Sequence, residues 1–178
     1  VLGIEAVRIF DVDEHAMDKF CANMARTGLQ IERAASAADA ASEADIVTTV
    51  TADKANATIL RSADIAPGTH INAGGDCPGK TELDAALVGR SSTFVEYMPQ
   101  TRIEGEIQQM PEDYAVTELW QVLAGKAPGR RSDTEITLFD SVGFAVEDFS
   151  ALRFIWSRVS PNGRKIDLIP NLADPKDL

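Results

Sequence analysis

Asn72-Ala73-Gly74-Gly75-Asp76-Cys77-Pro78-Gly79-Lys80 follows the short apolar run at 69–73 and precedes a helix-like pattern, so it marks a point where a strand hands over to a helix. In α/β sheets that is where ligands bind. Two adjacent glycines let the backbone approach a ligand closely, Asp76 offers an acid or base, and Lys80 falls one helical turn later, able to reach back with a positive charge. The same residues also suit a plain Gly/Pro-rich connection with solvated charges.

Working outward from this loop, the chain alternates strands and helices. Residues 7–10 form a β-branched and aromatic run that stops at Asp11-Val12-Asp13; Met17, Phe20, Cys21 and Met24 then recur at helical spacing until Gly28, with Asp13 placed as the cap. Residues 1–6 read as the frayed end of a helix. A second strand is expected over 30–34, an alanine-rich helix over 37–44, and a third strand over 45–51, whose near-continuous apolar and Thr content suits a parallel sheet covered on both faces.

Beyond the loop, a helix is expected over 81–88 and a strand over 93–96. Two helical pieces over 100–125 break near Met110-Pro111, with Trp120 and Leu123 turned toward the core. A polar loop at 126–133 leads to a strand over 136–139 that ends at Asp140-Ser141, and a helix over 149–159 follows. The tail holds a strand candidate at 165–169, then Pro170 and Pro175. This alternation predicts an open, mostly parallel α/β sheet with helices on both faces and right-handed crossovers.

The 178 residues, 44% hydrophobic and 25% charged, are enough for one domain with a real core. A net charge of −11 argues against nucleic acid or acidic membrane surfaces as partners, since polyanions are held by clustered Lys and Arg. Arg130-Arg131 reads as a solvated turn. Without a bilayer-length apolar run or a secretory leader, the expectation is a soluble, cytoplasmic protein. Cys21 and Cys77 have neither CxxC spacing nor a His partner pattern, which argues against a metal site. Cys21 is expected to be a buried thiol and Cys77 a partly exposed one.

An acidic residue ending a strand before a helix is the pattern of the second strand of a dinucleotide-binding fold, where the carboxylate holds the adenosine ribose hydroxyls and favours NAD over its phosphorylated form. Asp11 fits that role. Asp11 and Asp13 also suit simple capping of the helix. No Gly-x-Gly-x-x-Gly precedes them, and Gly3 stands alone.

Three stretches carry a resemblance: His70 through Leu83 around the glycine loop; Val95-Glu96-Tyr97-Met98-Pro99-Gln100-Thr101-Arg102-Ile103-Glu104-Gly105-Glu106-Ile107-Gln108-Gln109; and Phe139-Asp140-Ser141-Val142-Gly143-Phe144-Ala145-Val146-Glu147-Asp148. They resemble the ornithine cyclodeaminase/mu-crystallin family, and the likeness runs from about Val7 to the closing Asp174-Pro175-Lys176-Asp177-Leu178. The resemblance implies an enzyme that turns ornithine into proline and ammonia with a recycled NAD. Asp76 matches the catalytic aspartate. Asp11 matches the ribose-binding acid, and Thr51, Ile71, Asn72, Ala73, Lys80 and Ser141 match further cofactor-binding positions. No metal is implied. Relatives that act as ketimine reductase, alanine dehydrogenase or lysine cyclodeaminase, or as mu-crystallin-like binding proteins, stay open as alternatives.

From the residues alone, Thr51 also reads as a strand end, Ser141 as a helix cap and Lys80 as solvated. Asp140 reads as a strand-end residue organising its turn, and Arg102, Glu104 and Glu106 as surface pairs. The family's loop usually has one more residue before Gly74. Its first Rossmann strand, glycine-rich loop and N-terminal substrate domain have no counterpart here. The expected organisation is therefore a truncated NAD-binding Rossmann-like domain at 1–159 and a C-terminal tail at 160–178 that packs on the substrate domain, the full-length protein being a homodimer. Without that central strand the chain alone is expected to be poorly stable, aggregation-prone and inactive.

Overall fold

The computed structural model describes residues 3–51, 58–75 and 77–159. The chain divides into two compact units, 1–143 and 144–178. In the first unit, β1 (Ala6–Ile9) leads into α1 (Glu14–Met24), then β2 (Gln30–Arg33), α2 (Ala37–Ala41), β3 (Ile46–Thr49) and β4 (His70–Gly74). After the loop come α3 (Ala85–Arg90), β5 (Ser92–Val95), α4 (Met98–Glu104), a 3-10 turn (Glu106–Gln109), β6 (Thr117–Glu118), α5 (Leu119–Leu123) and β7 (Thr137–Ser141). The second unit contributes α6 (Ala145–Val159), described by itself. The tail at 160–178, with its strand candidate, lies outside the described residues.

Among the described residues every pairing between these strands is parallel. β1 pairs with β2 in a two-stranded sheet, while the other five run in the order β3-β4-β7-β5-β6. The mostly parallel α/β expectation holds. Among the described residues β1 pairs only with β2 and β3 only with β4, so the strands form two separate sheets. α2 contacts both: Ala41 is buried with Leu60 and Ile65 in the core, and Arg8 Nη1 of β1 donates to the Asp39 carbonyl at 3.0 Å.

The core forms on one face of the five-stranded sheet. Ile71 and Ala73 of β4, Leu138 of β7 and Val95 of β5 meet Leu83, Leu87, Val88 and Ile107, all buried. Alternation along β4 follows the strand period of two: Ile71 and Ala73 face this core, while His70, Asn72 and Gly74 lie on the half-buried opposite face. Asp13 caps α1 by accepting the His15 N–H at 2.9 Å, as its position in the sequence indicates.

Several expectations need correction. The helix expected from residue 81 starts at Ala85, because the Glu106 carboxylate takes the N–H groups of Glu82 and Leu83 and the Glu82 carbonyl takes those of Ile59 and Leu60. Those bonds hold the chain extended until Asp84 caps α3 through the Leu87 N–H at 2.7 Å. Second, the helical pieces over 100–125 do break at Met110, where the 3-10 turn ends, but the piece beyond the break is shorter than expected, with the edge strand β6 leading into α5, and Trp120 and Leu123 are exposed and not in the core. Third, residues 3–5 are not helical, and the Glu5 carbonyl accepts the Gln30 N–H at 3.1 Å. Fourth, Glu106 is 1% exposed and Arg102 donates to the carbonyls of Ile107, Met110, Pro111, Glu112 and Tyr114. Both tie backbone together from within instead of pairing on the surface. Arg130 likewise pins a turn, donating to the Gly68 carbonyl at 2.7 Å and the Glu135 carbonyl at 2.6 Å. Cys21 is half-buried, not enclosed, and so is Cys77.

Candidate functional site

Parallel strands bring their carboxyl ends to one edge, and loops there are free to carry chemistry. Thr51 follows β3, Gly74-Gly75 end β4, Glu96 follows β5, and Ser141 ends β7. Gly74 is in register with Ser141, and the Gly75 N–H donates to the Ser141 carbonyl at 3.0 Å. The glycine loop therefore leaves the sheet beside Ser141.

Gly75 has no room for a side chain. A Cβ there would lie 2.6 Å from Val142 Cγ1, 2.7 Å from the Glu104 carbonyl oxygen and 2.9 Å from Gly105 Cα. Gln108 supports the far side of the same loop: its Nε2 donates to the carbonyls of Lys80 and Gly105 at 2.8 Å each, and its Oε1 accepts the Gly79 N–H at 2.5 Å. Gly79 adopts φ +82°, a left-handed turn that glycine makes at no steric cost. The loop is thus braced at both ends. Asp76 lies outside the described residues.

The other candidate residues fall into three groups. Asp11 is exposed at the end of β1, in the two-stranded sheet, and its carboxylate accepts the Asp13 N–H at 2.8 Å. Ile71 and Ala73 turn their side chains into the core, whereas Asn72 lies on the opposite face, hydrogen-bonded to His70 Nε2 at 3.2 Å and to Thr48 Oγ1 at 3.3 Å. Thr51, Lys80 and Ser141 gather near the loop. Lys80 is 5% exposed, so its solvated reading is wrong. Thr51 Oγ1 donates to the buried Glu82 carboxylate. Ser141 Oγ donates to Glu96 at 2.5 Å and does not cap α6, which begins at Ala145.

Beneath this edge lies a band of buried acids. Asp140, fully buried, accepts the N–H groups of Glu106 and Ile107 at 2.9 Å each. Burial pushes its carboxyl up to about 6; the two N–H groups pull the other way, and the nearby Glu96 charge adds to the rise. Burial likewise pushes Glu106 up to about 7, against the N–H groups of Glu82 and Leu83 and with the help of the Asp140 and Glu82 charges. His70 is held below its ordinary value, first by burial, against its Asn72 hydrogen bond and with Arg130 acting in the same sense. Among the described residues, no group of three His, Cys, Asp or Glu could hold a metal ion.

Sequence reasoning missed Glu96, Glu82 and Gln108. The signal for Glu96 was available: an acid ending a parallel strand is the feature that singled out Asp11. Glu82 and Gln108 gave none, because their roles depend on folding the 77–83 and 105–109 segments against each other.

Comparison with known proteins agrees with this architecture. The sequence model of the ornithine cyclodeaminase/mu-crystallin family matches residues 1–163. The chain is 53% identical over 181 aligned residues to the ornithine cyclodeaminase of Agrobacterium fabrum, covering 100% of this chain and 51% of that protein. Among solved structures, a lysine cyclodeaminase described for its recognition of L-lysine, L-ornithine and L-2,4-diaminobutyric acid superposes with a TM-score of 0.84 at 28% identity, over 96% of this chain and 50% of that one. An archaeal alanine dehydrogenase dimer with bound NAD gives a TM-score of 0.83 at 32% identity, over 95% and 54%. The chain spans about half the length of the curated relatives it matches.

Proposed function

This chain belongs to the ornithine cyclodeaminase/mu-crystallin family, and from that premise we propose that it is the NAD-binding half of an ornithine cyclodeaminase, converting L-ornithine to L-proline and ammonia. The observation that carries the reading is the register pair of Gly74 and Ser141, which brings Gly74 to the carboxyl edge of a parallel sheet beside Ser141. The residues present fit a dinucleotide: an exposed carboxylate at Asp11, hydroxyls at Thr51 and Ser141, and tightly braced glycine backbone between them.

NAD, when bound, would supply reversible hydride chemistry with no net redox change. The chain's own residues position and polarise. Asp11 would hold the adenosine ribose hydroxyls, and Thr51 and Ser141 would fix the remainder of the cofactor against the ends of β3 and β7. Asp76 would meet the substrate amine and carry its proton, while Lys80, buried beside the loop, would offset negative charge. Gly74 and Gly75 let the loop pack closely against the backbone of Thr49, Glu104 and Gly105, which fixes its path beside these groups. A homodimer at full length, a cytoplasmic location and a partnership restricted to a small amino acid complete the reading. No helix among the described residues is long and apolar enough to cross a membrane. Residues 160–178 are assigned to packing against a substrate domain.

A second reading, net oxidation or reduction of an amino acid as in an alanine dehydrogenase, is favoured by the likeness to the archaeal structure. One assay separates the two. Incubating the protein at its full natural length with ornithine and sub-stoichiometric NAD should release ammonia and proline over many turnovers with no accumulation of NADH. Stoichiometric NADH with an amino acid substrate supports the dehydrogenase, and absence of both products overturns the proposal.

A further inference from the structure

The two hydroxyls at the carboxyl edge both spend their proton inward. Ser141 Oγ donates to Glu96 Oε1 at 2.5 Å, and the other Glu96 oxygen accepts the N–H of Gly143 at 2.7 Å and of Val142 at 3.2 Å. Thr51 Oγ1 donates in the same way to Glu82 Oε1. Glu82 is 2% exposed, and its second oxygen has no hydrogen-bond partner among the described residues. In both bonds the hydroxyl is the donor, so each has its single proton committed and offers lone pairs to anything that approaches from outside.

We infer that Glu96 is a specificity-determining positioning residue: acting through Ser141, it sets this point of the site as a hydrogen-bond acceptor, so that a bound ligand must donate there. The inference deepens the cofactor reading above and rests on it. Ser141 is in register with Gly74, two residues before Asp76. A dinucleotide group reaching Ser141 Oγ therefore belongs to the end at which hydride moves. The donor at that end is the carboxamide NH2 of the nicotinamide.

Glu96 gives a cleaner test than Glu82. In Glu96→Gln the remaining carbonyl oxygen is needed by the N–H groups of Val142 and Gly143, so the new NH2 faces Ser141 and obliges its hydroxyl to turn its proton outward. In Glu82→Gln the amide nitrogen has an unpartnered side to occupy and leaves Thr51 as it was.

The experiment is a calorimetric titration of the protein at its full natural length with NAD and with its 3-acetylpyridine analogue, in which a methyl replaces the NH2 but the carbonyl acceptor remains. NAD should bind roughly tenfold more tightly to the unaltered protein, the analogue having no donor for Ser141. Ser141→Ala should abolish that preference and Glu96→Gln should narrow or reverse it. Equal affinity for the two dinucleotides, or a preference that survives in both variants, overturns the inference and leaves the cofactor reading standing. If neither dinucleotide binds, both fall. Should Glu96→Gln fail to fold, as judged by its thermal melt, the comparison of the unaltered protein with Ser141→Ala decides.

Discussion

Asp140 Oδ1 accepts the backbone N–H of Glu106 at 2.9 Å, joining the end of β7 to a turn 34 residues earlier in the chain. Its Oδ2 takes the next N–H, that of Ile107, at the same distance. One buried carboxylate thereby satisfies two donors that open a 3-10 turn, groups that would otherwise be buried without partners. Through Glu106 the connection continues to Glu82 and Leu83, so the acids fix the floor on which the glycine loop rests.

Asp140→Asn should destabilise the protein. The amide oxygen keeps one of the two N–H groups, but the amide nitrogen has no lone pair and faces the other. Leaving a buried donor unmatched costs about 1–3 kcal/mol. Urea unfolding followed by circular dichroism should show a lower midpoint at unchanged slope; an unchanged midpoint would refute the role assigned to this carboxylate.

Glycine replacements should separate steric from conformational demands. At Gly105 a Cβ would meet Thr101 Cγ2 at 2.5 Å and both Asp140 oxygens at 2.6 and 2.7 Å, and at Gly75 two of the three nearest atoms are backbone. Alanine at either position should lower the melting temperature by several degrees or prevent folding, since overpacking costs roughly 1–3 kcal/mol. Gly79→Ala meets open space and bears only the strain of its positive φ, about 1 kcal/mol. An equal effect at all three sites would contradict this ordering.

The sequence carried the alternation of strands and helices because parallel strands buried on the core face must be apolar, and Ile71, Ala73 and Leu138 obey that rule. It carried Asp13 as a cap for the same local reason. It did not carry the buried state of Glu106. At helical spacing beside Arg102 and Glu104, a glutamate reads as solvated, and only the meeting of residues 82–83 with 106 turns it inward. Trp120 was misjudged similarly: its apolar bulk suggests the core, yet it lies 47% exposed, with its indole N–H on Glu118 at 2.9 Å and Lys126 Nζ 5.0 Å from its ring centre. At the site, strand ends were legible while the partners of their hydroxyls, Glu82 and Glu96, depended on tertiary contacts.

Glu106 should make stability depend on pH in a definite sense. Its carboxyl moves from an ordinary 4.5 to about 7 in the folded state, chiefly through burial. The folded protein holds that proton more tightly, so the contribution is fully present below about 4.5 and is lost as pH rises through about 7. Asp140, raised from 3.8 to about 6, acts in the same sense, while His70, held low by burial, opposes both as pH falls below its ordinary 6.5. Subtracting the melting temperature of Glu106→Gln isolates the first effect. The difference should move in favour of the unaltered protein, by several degrees, as pH is lowered from about 7.5 to 5. A flat difference, or one of opposite sign, would show that Glu106 is not forced toward its neutral form.

Charge removal at Asp11 should change which dinucleotide is preferred. Its carboxylate already accepts the Asp13 N–H at 2.8 Å, and Asp13 in turn caps α1, so alanine at this position would disturb the turn along with any ligand contact. Asparagine keeps an oxygen for the Asp13 N–H and removes only the charge. In the proposed role the carboxylate repels the extra phosphate of NADP, and at an exposed site that repulsion is screened to roughly a tenfold effect on affinity. Asp11→Asn should therefore melt as the unaltered protein does, bind NAD more weakly, and lower the NAD-to-NADP affinity ratio roughly tenfold, with part of the change recovered by raising the salt concentration for the unaltered protein. A ratio that stays the same in the variant, with its melt intact, would leave Asp11 as a turn residue and assign cofactor discrimination elsewhere.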